Sequence, residues 1–508
     1  MLSGNSVLLL PLLAVVCLSG PPANALSAAG VFGNHAVLQQ GVRVPVWGTA
    51  RGGAEVKISF AGQTQTVTAN NEGAWIAWLR AMKASREGRP LKIRSADLTV
   101  QFENVVVGEV WLASGQSNMQ WTLKACASRL AEVKTVMEDP TDLGIRMLRV
   151  DAPDSPQVRS LDPNKIRWQI DSPASRPSQS AVAFYFARKL ARELSVPIGI
   201  IESSWGGKPI EGFIPLSAFA RNAALRPVAS LAAANKLEEL QSIKGGVIIR
   251  NTAGMPGRIF NGRLAPVAPY AVAGSIWYQG ESNAGKGEDP RNYRHKMDAL
   301  VAGWRHAFQQ PGMPFYSVQL PAYSDEAFGW TRLREEQRLS LAIQNSGMAV
   351  TIDLRDPDIH PANKVDVGER LALWPLARQY GKDLVPSGPL FKEARITGST
   401  VRVSFHHLGG GLMIARKEGL SPPLETPATD LSEFELAGMD AVWHAARAEI
   451  ESEEVVVTSP SVPRPVAVRY ACSGAPRNPN LYNRAGLPAS PFCSRLDFLP
   501  WAPPRSGK

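Results

Sequence analysis

Cysteine is scarce in this sequence, and its scarcity excludes two kinds of site. Only four cysteines occur among 508 residues, and no Cys-x-x-Cys pair is present. A thiolate zinc site or a dithiol redox centre is therefore not expected. Cys472 and Cys493 lie close together in sequence, so an oxidising compartment would favour the hypothesis of a disulfide between them, with Cys126 left as a buried thiol.

Histidine and clustered charge are scarce as well. The chain has seven histidines, and none has the spacing of a metal-binding motif, so neither a metal nor an organic cofactor is expected. The formal net charge is +10, but the lysines and arginines are scattered. Nucleic-acid binding proteins cluster their basic residues, so the pattern argues against a nucleic-acid partner. It is compatible with an anionic small substrate, or simply with a basic soluble surface.

Long apolar runs are confined to the N-terminus. The run from Val7 to Leu18 is too short for a comfortable membrane span, and no other segment reaches that length. Ala23 and Ala25 follow it with the spacing of a signal-peptide cleavage site, although no lysine or arginine precedes the run. Residues 1–25 are therefore predicted to be a signal peptide, and the protein to be exported, either periplasmic or secreted, without a membrane span.

The spacing of apolar residues changes twice after residue 25, which predicts three domains. Residues 26–104 show short alternating strands separated by turns, typical of a β-sandwich-like domain. Residues 105–385 alternate strands with helical stripes such as Val182, Phe186 and Leu190, which favours an α/β domain with a parallel sheet covered on both faces. Strands return in residues 386–508, which predicts a second β domain.

Ser117 follows a predicted buried strand in the middle domain. The valines at 105–107 and the apolar run 110–113 give way to small and amide residues, and Gly115 permits a tight backbone just before the serine. Met119 occupies the second glycine position of the Gly-x-Ser-x-Gly elbow, so that motif is absent. Alone, a serine at this place is more often a turn or capping residue than a nucleophile.

Two further clusters are expected at the ends of neighbouring strands. Gly206 and Gly207 let backbone N–H groups approach a ligand, as in an oxyanion hole, or form an ordinary tight turn. Gln279 directly follows a predicted strand and can donate to a developing negative charge. Glu281 lies in the same cluster, where a solvated or structural carboxylate is the more common role.

His360 is the one histidine in a suggestive setting. It lies between acidic residues and prolines in a loop after a predicted strand, with Asp356 and Asp358 close by. A carboxylate beside it could hold the imidazole in the tautomer that accepts a proton from Ser117. A lone loop histidine is otherwise usually just exposed.

Taken together, these motifs resemble the sialate O-acetylesterase-like branch of the SGNH (GDSL-like) hydrolases. The similarity covers nearly the whole chain after residue 25. The motifs that carry it are Val37-Leu38-Gln39-Gln40 with Pro45-Val46-Trp47-Gly48, Gly115-Gln116-Ser117-Asn118-Met119, Trp205-Gly206-Gly207, Trp277-Tyr278-Gln279-Gly280-Glu281-Ser282, Asp358-Ile359-His360-Pro361, and Asn480-Leu481-Tyr482-Asn483 with Gly486-Leu487-Pro488-Ala489.

The resemblance implies a three-layer, flavodoxin-like hydrolase domain flanked by two β domains, and a serine esterase that removes acetyl groups from sugar hydroxyls. Ser117 would be the nucleophile, and His360 the general base and then the acid for the leaving alcohol. Asp358 would orient His360, with Asp356 or a backbone carbonyl as alternatives. The sugar itself is left open between an acetylated sialic acid and an acetylated polysaccharide such as xylan.

The resemblance also implies an oxyanion hole and a substrate contact. The hole would draw on the Ser117 backbone N–H, a glycine N–H from Gly206 or Gly207, and the Gln279 side chain. Lys208 stands where the family usually has threonine or serine, so we hypothesise that Lys208 adds positive potential for an acidic sugar. With Lys208, Glu281 is a candidate substrate-binding residue.

The sequence departs from the family pattern at two cysteines, and two other function classes remain alternatives. The family usually has tryptophan at Cys472 and arginine at Cys493, so the paired change favours the disulfide hypothesis. A glycosidase with Glu281 and Asp358 as paired carboxylates would leave the Ser117 motif unexplained. A non-catalytic carbohydrate-binding protein, with function in its β domains, would leave the combined serine, histidine and glutamine unexplained. The oligomeric state is left open.

Overall fold

The computed structural model describes residues 26–242, 254–284, 290–324 and 328–499. The signal peptide predicted at residues 1–25 lies outside these ranges. Within them, no helix is both long and apolar enough to cross a membrane. The strands are β1 (Ser27–Ala28), β2 (Val37–Gln39), β3 (Val44–Thr49), β4 (Glu55–Phe60), β5 (Gln63–Thr68), β6 (Ala74–Leu79), β7 (Ser85–Ser95), β8 (Leu98–Gly115), β9 (Ile145–Arg149), β10 (Trp168–Ile170), β11 (Ile198–Ser204), β12 (Gly274–Tyr278), β13 (Phe315–Val318), β14 (Ser346–Ala349), β15 (Leu390–Thr397), β16 (Thr400–His406), β17 (Leu412–Arg416), β18 (Leu424–Glu425), β19 (Phe434–Ala437), β20 (Trp443–Ala445), β21 (Arg447–Glu451), β22 (Glu454–Thr458), β23 (Ala467–Tyr470), β24 (Leu481–Asn483) and β25 (Phe492–Cys493).

The helices lie mainly in the middle of the chain. The α-helices are α1 (Ser117–Gln120), α2 (Leu123–Ala127), α3 (Ala131–Glu138), α4 (Ala181–Leu194), α5 (Arg226–Ala233), α6 (Tyr293–Ala307), α7 (Phe328–Leu339) and α8 (Lys364–Arg378). Short 3-10 helices include Arg176–Ser178, Ile210–Phe213, Leu216–Arg221, Ala223–Leu225, Leu237–Ser242, Glu281–Asn283, Pro290–Asn292, Ser340–Ala342 and Leu496–Phe498, and Phe260–Leu264 forms a π-helix.

The central sheet is mixed and has the strand order β10-β9-β11-β8-β12-β13-β14. Strands β9, β11, β8, β12, β13 and β14 run parallel, whereas β10 pairs antiparallel with β9. The chain leaves β8 for β9 and β11 on one side, and then crosses to β12, β13 and β14 on the other. The end of β8 is therefore a topological switch point, where open α/β sheets bind their ligands.

Helices cover both faces of this sheet. Neighbouring residues of a strand point to opposite faces, and in β13 the Phe315 ring contacts Trp304 of α6 while the Tyr316 ring contacts Trp374 of α8. Trp111 of β8 packs against Phe186 of α4, and it also contacts Tyr316. Helices α4 and α8 therefore share one face, and α6 lies on the other. The helix predicted around Phe186 is confirmed as α4, whereas α8 was not predicted from the sequence.

The N-terminal strands are joined to the central sheet through β8. Strands β1, β3 and β6 form a separate three-stranded sheet, while β7 and β2 pair with the first part of β8. Strand β8 runs without interruption from Leu98 to Gly115, so the boundary predicted after residue 104 falls inside one strand. Because buried side chains such as Val46, Ile58 and Trp111 belong to one hydrophobic cluster, the N-terminal strands support β8, the strand that leads to Ser117.

The C-terminal strands form their own core against the last strand of the central sheet. They make four-stranded sheets β15-β16-β22-β21 and β20-β19-β23-β25 and a three-stranded sheet β18-β17-β24. Val403, Leu436 and Phe492 pack in one cluster with Met348 of β14 and Ile352, which follows it. This contact fixes the C-terminal domain beside the loop that follows β14, which is the loop containing His360.

The disulfide hypothesis is wrong in this structure. Cys472 and Cys493 are both free thiols, as is Cys126. The Sγ of Cys472 donates to the carbonyl of Phe492, and the Sγ of Cys493 donates to the carbonyl of Arg495, each over 3.1 Å. Burial raises the pKa of both thiols, that of Cys493 to about 12. Both cysteines therefore act as small, protonated packing residues.

Candidate active site

The register of the central sheet brings three of the predicted clusters together. At the end of β8, Gly115 pairs with Ser204 of β11 on one side and with Tyr278 of β12 on the other. The Trp205 N–H donates to the Gly115 carbonyl at 2.9 Å, and the Gln116 N–H donates to the Tyr278 carbonyl at 3.0 Å. The segments that begin with Gln116, Trp205 and Gln279 therefore leave the sheet side by side.

Gly115 is a glycine because no side chain fits at this turn. Its φ is +138°, and a Cβ built there would lie 2.1 Å from the Tyr278 carbonyl oxygen. The turn lets the next residues start α1, with Gln116 as the N-cap and Ser117 as the first helical residue. Because the first N–H groups of a helix have no intrahelical partner, the Ser117 backbone N–H is a donor placed next to its own hydroxyl.

Ser117, His360 and Asp358 form a hydrogen-bonded chain. The Ser117 hydroxyl lies 2.9 Å from His360 Nε2, and His360 Nδ1 lies 3.1 Å from Asp358 Oδ1. Asp358 Oδ1 also accepts the His360 backbone N–H at 3.0 Å. With Nδ1–H donating to the carboxylate, Nε2 is left as the acceptor for the serine proton. The two-residue spacing of Asp358 and His360 is therefore compatible with this contact.

Asp356, the alternative partner for His360, has a different set of contacts. Its carboxylate forms an ion pair with Arg129 and accepts the backbone N–H groups of Asp358 at 3.0 Å and of Ala362 at 3.2 Å. Arg129 also donates to the His360 carbonyl at 3.0 Å. Asp356 and Arg129 thus brace the loop around His360, while Asp358 contacts the ring itself.

Trp121 supports the other side of the imidazole. Its ring stacks on His360 with the centroids 5.1 Å apart and the planes inclined by 12°. Trp121 follows α1 directly, so the helix that begins at Ser117 also places an aromatic wall beside the imidazole. The Arg129 guanidinium also lies over the Trp121 ring, 5.6 Å from its centroid. The stack limits the rotation of His360 about its side-chain bonds.

The pKa of His360 is lowered from its ordinary value of 6.5. Burial is the largest cause, and together with the positive charges of Lys364 and Arg129 it outweighs the opposing effects of the hydrogen bond and the charge of Asp358. For Asp358, burial acts to raise the pKa, but the hydrogen bonds from the His360 backbone and ring outweigh it and lower the pKa. Near neutral pH the pair is therefore a neutral imidazole beside a carboxylate, which is the state a general base requires.

Asn118 links the serine segment to the histidine loop. Its Nδ2 donates to Glu281 Oε1 at 2.5 Å and to the Ile359 carbonyl at 3.0 Å, and its Oδ1 accepts from Lys364 Nζ. All three polar side chains are buried. Burial lowers the pKa of Lys364 to about 8 and raises that of Glu281. One amide therefore positions the neighbours of both Ser117 and His360.

Glu281 is consequently an internal residue of the protein. One of its oxygens accepts from Asn118, and the other has no hydrogen-bond partner among the described residues. This placement contrasts with Asp358, whose side chain is 46% exposed. The glycosidase alternative pairs these two carboxylates, but their surroundings differ. Glu281 is buried and bonded to Asn118, whereas Asp358 is partly exposed and bonded to His360.

Gln279 lies fully buried at the floor of the site with both ends of its amide engaged. Its Nε2 donates to Asn283 Oδ1 at 2.7 Å, to Gln116 Oε1 at 3.1 Å and to the Lys208 carbonyl at 3.3 Å, while its Oε1 accepts from Tyr293 at 2.6 Å. These bonds tie the end of β12 to the segments from β8 and β11. As placed, the amide hydrogens of Gln279 have partners within the protein.

The glycine pair lies against Ser117. A Cβ built on Gly206 would be 3.4 Å from the Ser117 Cβ, and the Gly206 N–H donates to Gln120 Oε1 at 3.0 Å. Gly207 has a φ of +68°, a conformation that favours glycine. The Lys208 ammonium lies 5.2 Å from the Trp205 ring centroid, and burial lowers its pKa. This segment forms the wall of the site opposite the histidine loop.

Five contributing residues were not singled out for their roles by the sequence. Asn118 lies within the serine motif and Trp121 shortly after it, but nothing in the pattern shows which of these side chains turn inward. Lys364 occupies the first turn of α8, where a lysine is normally expected in solvent. Arg129 comes from a segment without a recognisable signal, whereas Asn283 ends the cluster of Gln279 and Glu281, where the sequence does not show which amide turns inward. Clusters of three or more histidine, cysteine, aspartate or glutamate side chains suited to a metal ion are absent from the described ranges.

Comparison with known proteins gives a consistent result. A family model described as carbohydrate esterase, sialic acid-specific acetylesterase, matches residues 259–374. The sialate O-acetylesterase of Rattus norvegicus is 26% identical over 456 residues, covering 78% of this chain and 81% of the rat protein. The human sialate O-acetylesterase is 28% identical over 404 residues, covering 71% and 73%. The crystal structure of a carbohydrate acetylesterase from Xanthomonas citri is similar with a TM-score of 0.79 and 33% identity, covering 92% of this chain and 99% of that one.

Proposed function

Because the chain belongs to the sialate O-acetylesterase-like family of carbohydrate esterases, we propose that it hydrolyses acetyl esters on sugar hydroxyls with Ser117 as the nucleophile. The observation that carries the proposal is the contact of 2.9 Å between the Ser117 hydroxyl and His360 Nε2. His360 in turn lies 3.1 Å from Asp358. These contacts support the assignment of Ser117 as nucleophile, His360 as general base and Asp358 as orienting carboxylate.

The reaction would proceed through an acetyl-enzyme. His360 Nε2 takes the proton of Ser117 as Oγ attacks the ester carbonyl, and the imidazolium then gives that proton to the leaving sugar hydroxyl. A water molecule repeats the cycle: His360 deprotonates it, it attacks the acetyl carbon, and acetate leaves as the proton returns to Ser117 Oγ. Asp358 stabilises the imidazolium in both halves and fixes the tautomer.

The oxyanion hole follows from the same segments. The Ser117 backbone N–H is the donor with the clearest geometry, since it begins α1 beside the nucleophile. Gly206 is the second donor, and we propose that Gln120 Oε1, which accepts its N–H, is displaced when the ester carbonyl binds. Gln279 supports the hole from below by fixing the segments around it, as its own amide hydrogens are engaged.

The architecture fits this reading as well. We propose that residues 105–385 form the SGNH-type three-layer domain, and that residues 26–104 and 386–508 are the flanking β domains. Such a hydrolase has its nucleophile after the first parallel strand and its Asp–His pair after the last one. Here Ser117 follows β8, and Asp358 and His360 follow β14. Export through a signal peptide at residues 1–25 is part of the same proposal.

The products released from acetylated sugars distinguish this proposal from the other function classes. Acetate and free sugar are measured with an acetylated sialic acid, acetylated xylan and 4-nitrophenyl acetate. We expect acetate from an acetylated sugar with its glycosidic bonds intact, and the preferred sugar names the substrate class. Cleavage of glycosidic bonds would favour the carboxylate pair Glu281 and Asp358 instead. No acetate from any of the three would move the function to carbohydrate binding.

Lys208 is proposed to favour acidic sugars. Its ammonium lies in the glycine segment beside Ser117, near Trp205 and Arg263, so the positive potential there is shared by two cations. In Lys208→Ala, the KM for an acetylated sialic acid should rise about two- to fivefold relative to that for acetylated xylan, because partly exposed ion pairs contribute modestly. An equal change in both KM values would contradict this role.

The pH profile of kcat/KM should show the lowered pKa of His360. The base works only when neutral, and a lowered pKa keeps it neutral to more acidic pH. We therefore expect activity to stay level as pH falls to 6.5 and to decline only below that value. In Asp358→Ala the decline should move to still lower pH, since Asp358 raises the pKa. A decline beginning well above 6.5 would contradict the assignment.

A further inference from the structure

A cavity of about 420 Å³ lies between the histidine loop and the C-terminal domain. Its walls come from the loop after β14, from the residues that connect α2 to α3, from β17 and from the segment 476–479. Arg129 and Asp356, which brace the histidine loop, are among the lining residues. The cavity therefore adjoins the candidate active site while containing neither Ser117 nor His360. Its volume lies in the range of small-molecule sites.

The charges of the cavity are unbalanced. Its two carboxylates are already neutralised, because Asp353 pairs with Arg370 at 2.7 Å and Asp356 pairs with Arg129. Arg355 and Arg477 also line it, and neither takes part in an ion pair among the described residues. Both side chains are exposed to solvent. Two guanidinium groups, one from each domain, thus line the same space, and no carboxylate of the described residues forms an ion pair with either of them.

We propose that this cavity binds the carboxylate of a second saccharide unit, so that the enzyme prefers acidic oligosaccharides to acidic monosaccharides. The inference rests on the proposed esterase function and extends it beyond the acetylated sugar. A guanidinium presents parallel N–H donors that match a carboxylate. The hydroxyls of a sugar ring suit the remaining wall, which includes the exposed residue Asn478. The acetylated unit would occupy the space at Ser117, with the glycan continuing past Arg129.

Binding can be measured without turnover. Calorimetry would compare disialic acid and trigalacturonate, two acidic oligosaccharides of different sugars, with the same compounds after reduction of their carboxyl groups. The proteins are the full chain, the double variant Arg355→Ala/Arg477→Ala, and Arg51→Ala as a control. Arg51 is an exposed arginine in the turn after β3, so its removal changes the net charge without touching the cavity. Turnover of 4-nitrophenyl acetate by the wild type reports separately on the esterase.

We expect the wild type to bind disialic acid, trigalacturonate or both. The compound that binds identifies the class of sugar that the cavity accepts. Its Kd should rise about tenfold in the double variant and stay within about twofold in Arg51→Ala. Added salt should weaken binding, because the contacts are exposed. The proposal fails if neither acidic compound binds, if the reduced compound binds equally well, or if the double variant behaves as the wild type. Absence of 4-nitrophenyl acetate turnover would instead overturn the esterase function.

Discussion

Ser117→Ala is expected to lower kcat for an acetylated sugar by about 10⁴- to 10⁶-fold, the range in which loss of a nucleophile assisted by a general base falls. The substitution removes the oxygen that forms the acetyl-enzyme and leaves His360 without the proton that it transfers. Binding depends on other groups, so KM should change far less than kcat. The large fall in kcat with a modest change in KM distinguishes a lost nucleophile from a damaged pocket.

The measurement is the single-turnover and steady-state release of acetate from the variant and the wild type. Mass spectrometry of the wild type quenched during turnover should also show one acetyl group on the peptide containing Ser117. Ser128→Ala is the matched control, because Ser128 is an exposed serine near the end of α2 whose hydroxyl only bonds the Ala125 carbonyl. More than about one hundredth of the wild-type kcat in Ser117→Ala would rule out this serine as the nucleophile.

The sheet was predictable from the sequence because its strands carry continuous apolar runs. The runs around Val110, Ile200 and Ile276 predict buried strands, and the structure has β8, β11 and β12 there. Their polar successors were therefore expected together at one edge, and the register through Gly115 brings them together. The sequence does not show that β8 begins at Leu98. Residues in the first part of this strand alternate between exposed and partly buried positions, whereas all those in the remainder are buried.

The state of individual side chains was much less predictable. Gln279 was expected to donate to a developing charge, but in the structure its amide bonds Gln116 and Asn283 within the protein. The hydrogen bonds of such a side chain depend on partners that are far away along the chain, as Gln116 is more than 150 residues from Gln279. Likewise, a pattern of residue types gives no means of knowing that Lys364 is buried. Long-range hydrogen bonds decide these positions after the backbone is fixed.

Asn118→Ala should reveal how far this buried network supports catalysis. The substitution removes the amide that joins Glu281, Lys364 and the Ile359 carbonyl, and leaves a buried ammonium and a buried carboxyl group without their shared partner. We expect the free energy of unfolding to fall by about 3 kcal/mol, the typical cost of leaving buried charged groups unpaired. Because Asn118 also fixes the spacing between Ser117 and His360, kcat should fall about 10²-fold at temperatures where the variant is folded.

Asn483→Ala separates the catalytic effect from the loss of stability. Asn483 is fully buried like Asn118, and its side chain donates to the carbonyls of Ser387 and His407, but it lies in the C-terminal domain. Urea unfolding should show both variants destabilised, whereas only Asn118→Ala should lose kcat among its folded molecules. Equal losses of kcat would mean that general destabilisation explains the effect. A selective loss in Asn118→Ala would instead mean that the alignment of Ser117 with His360 depends on an amide that never touches the substrate.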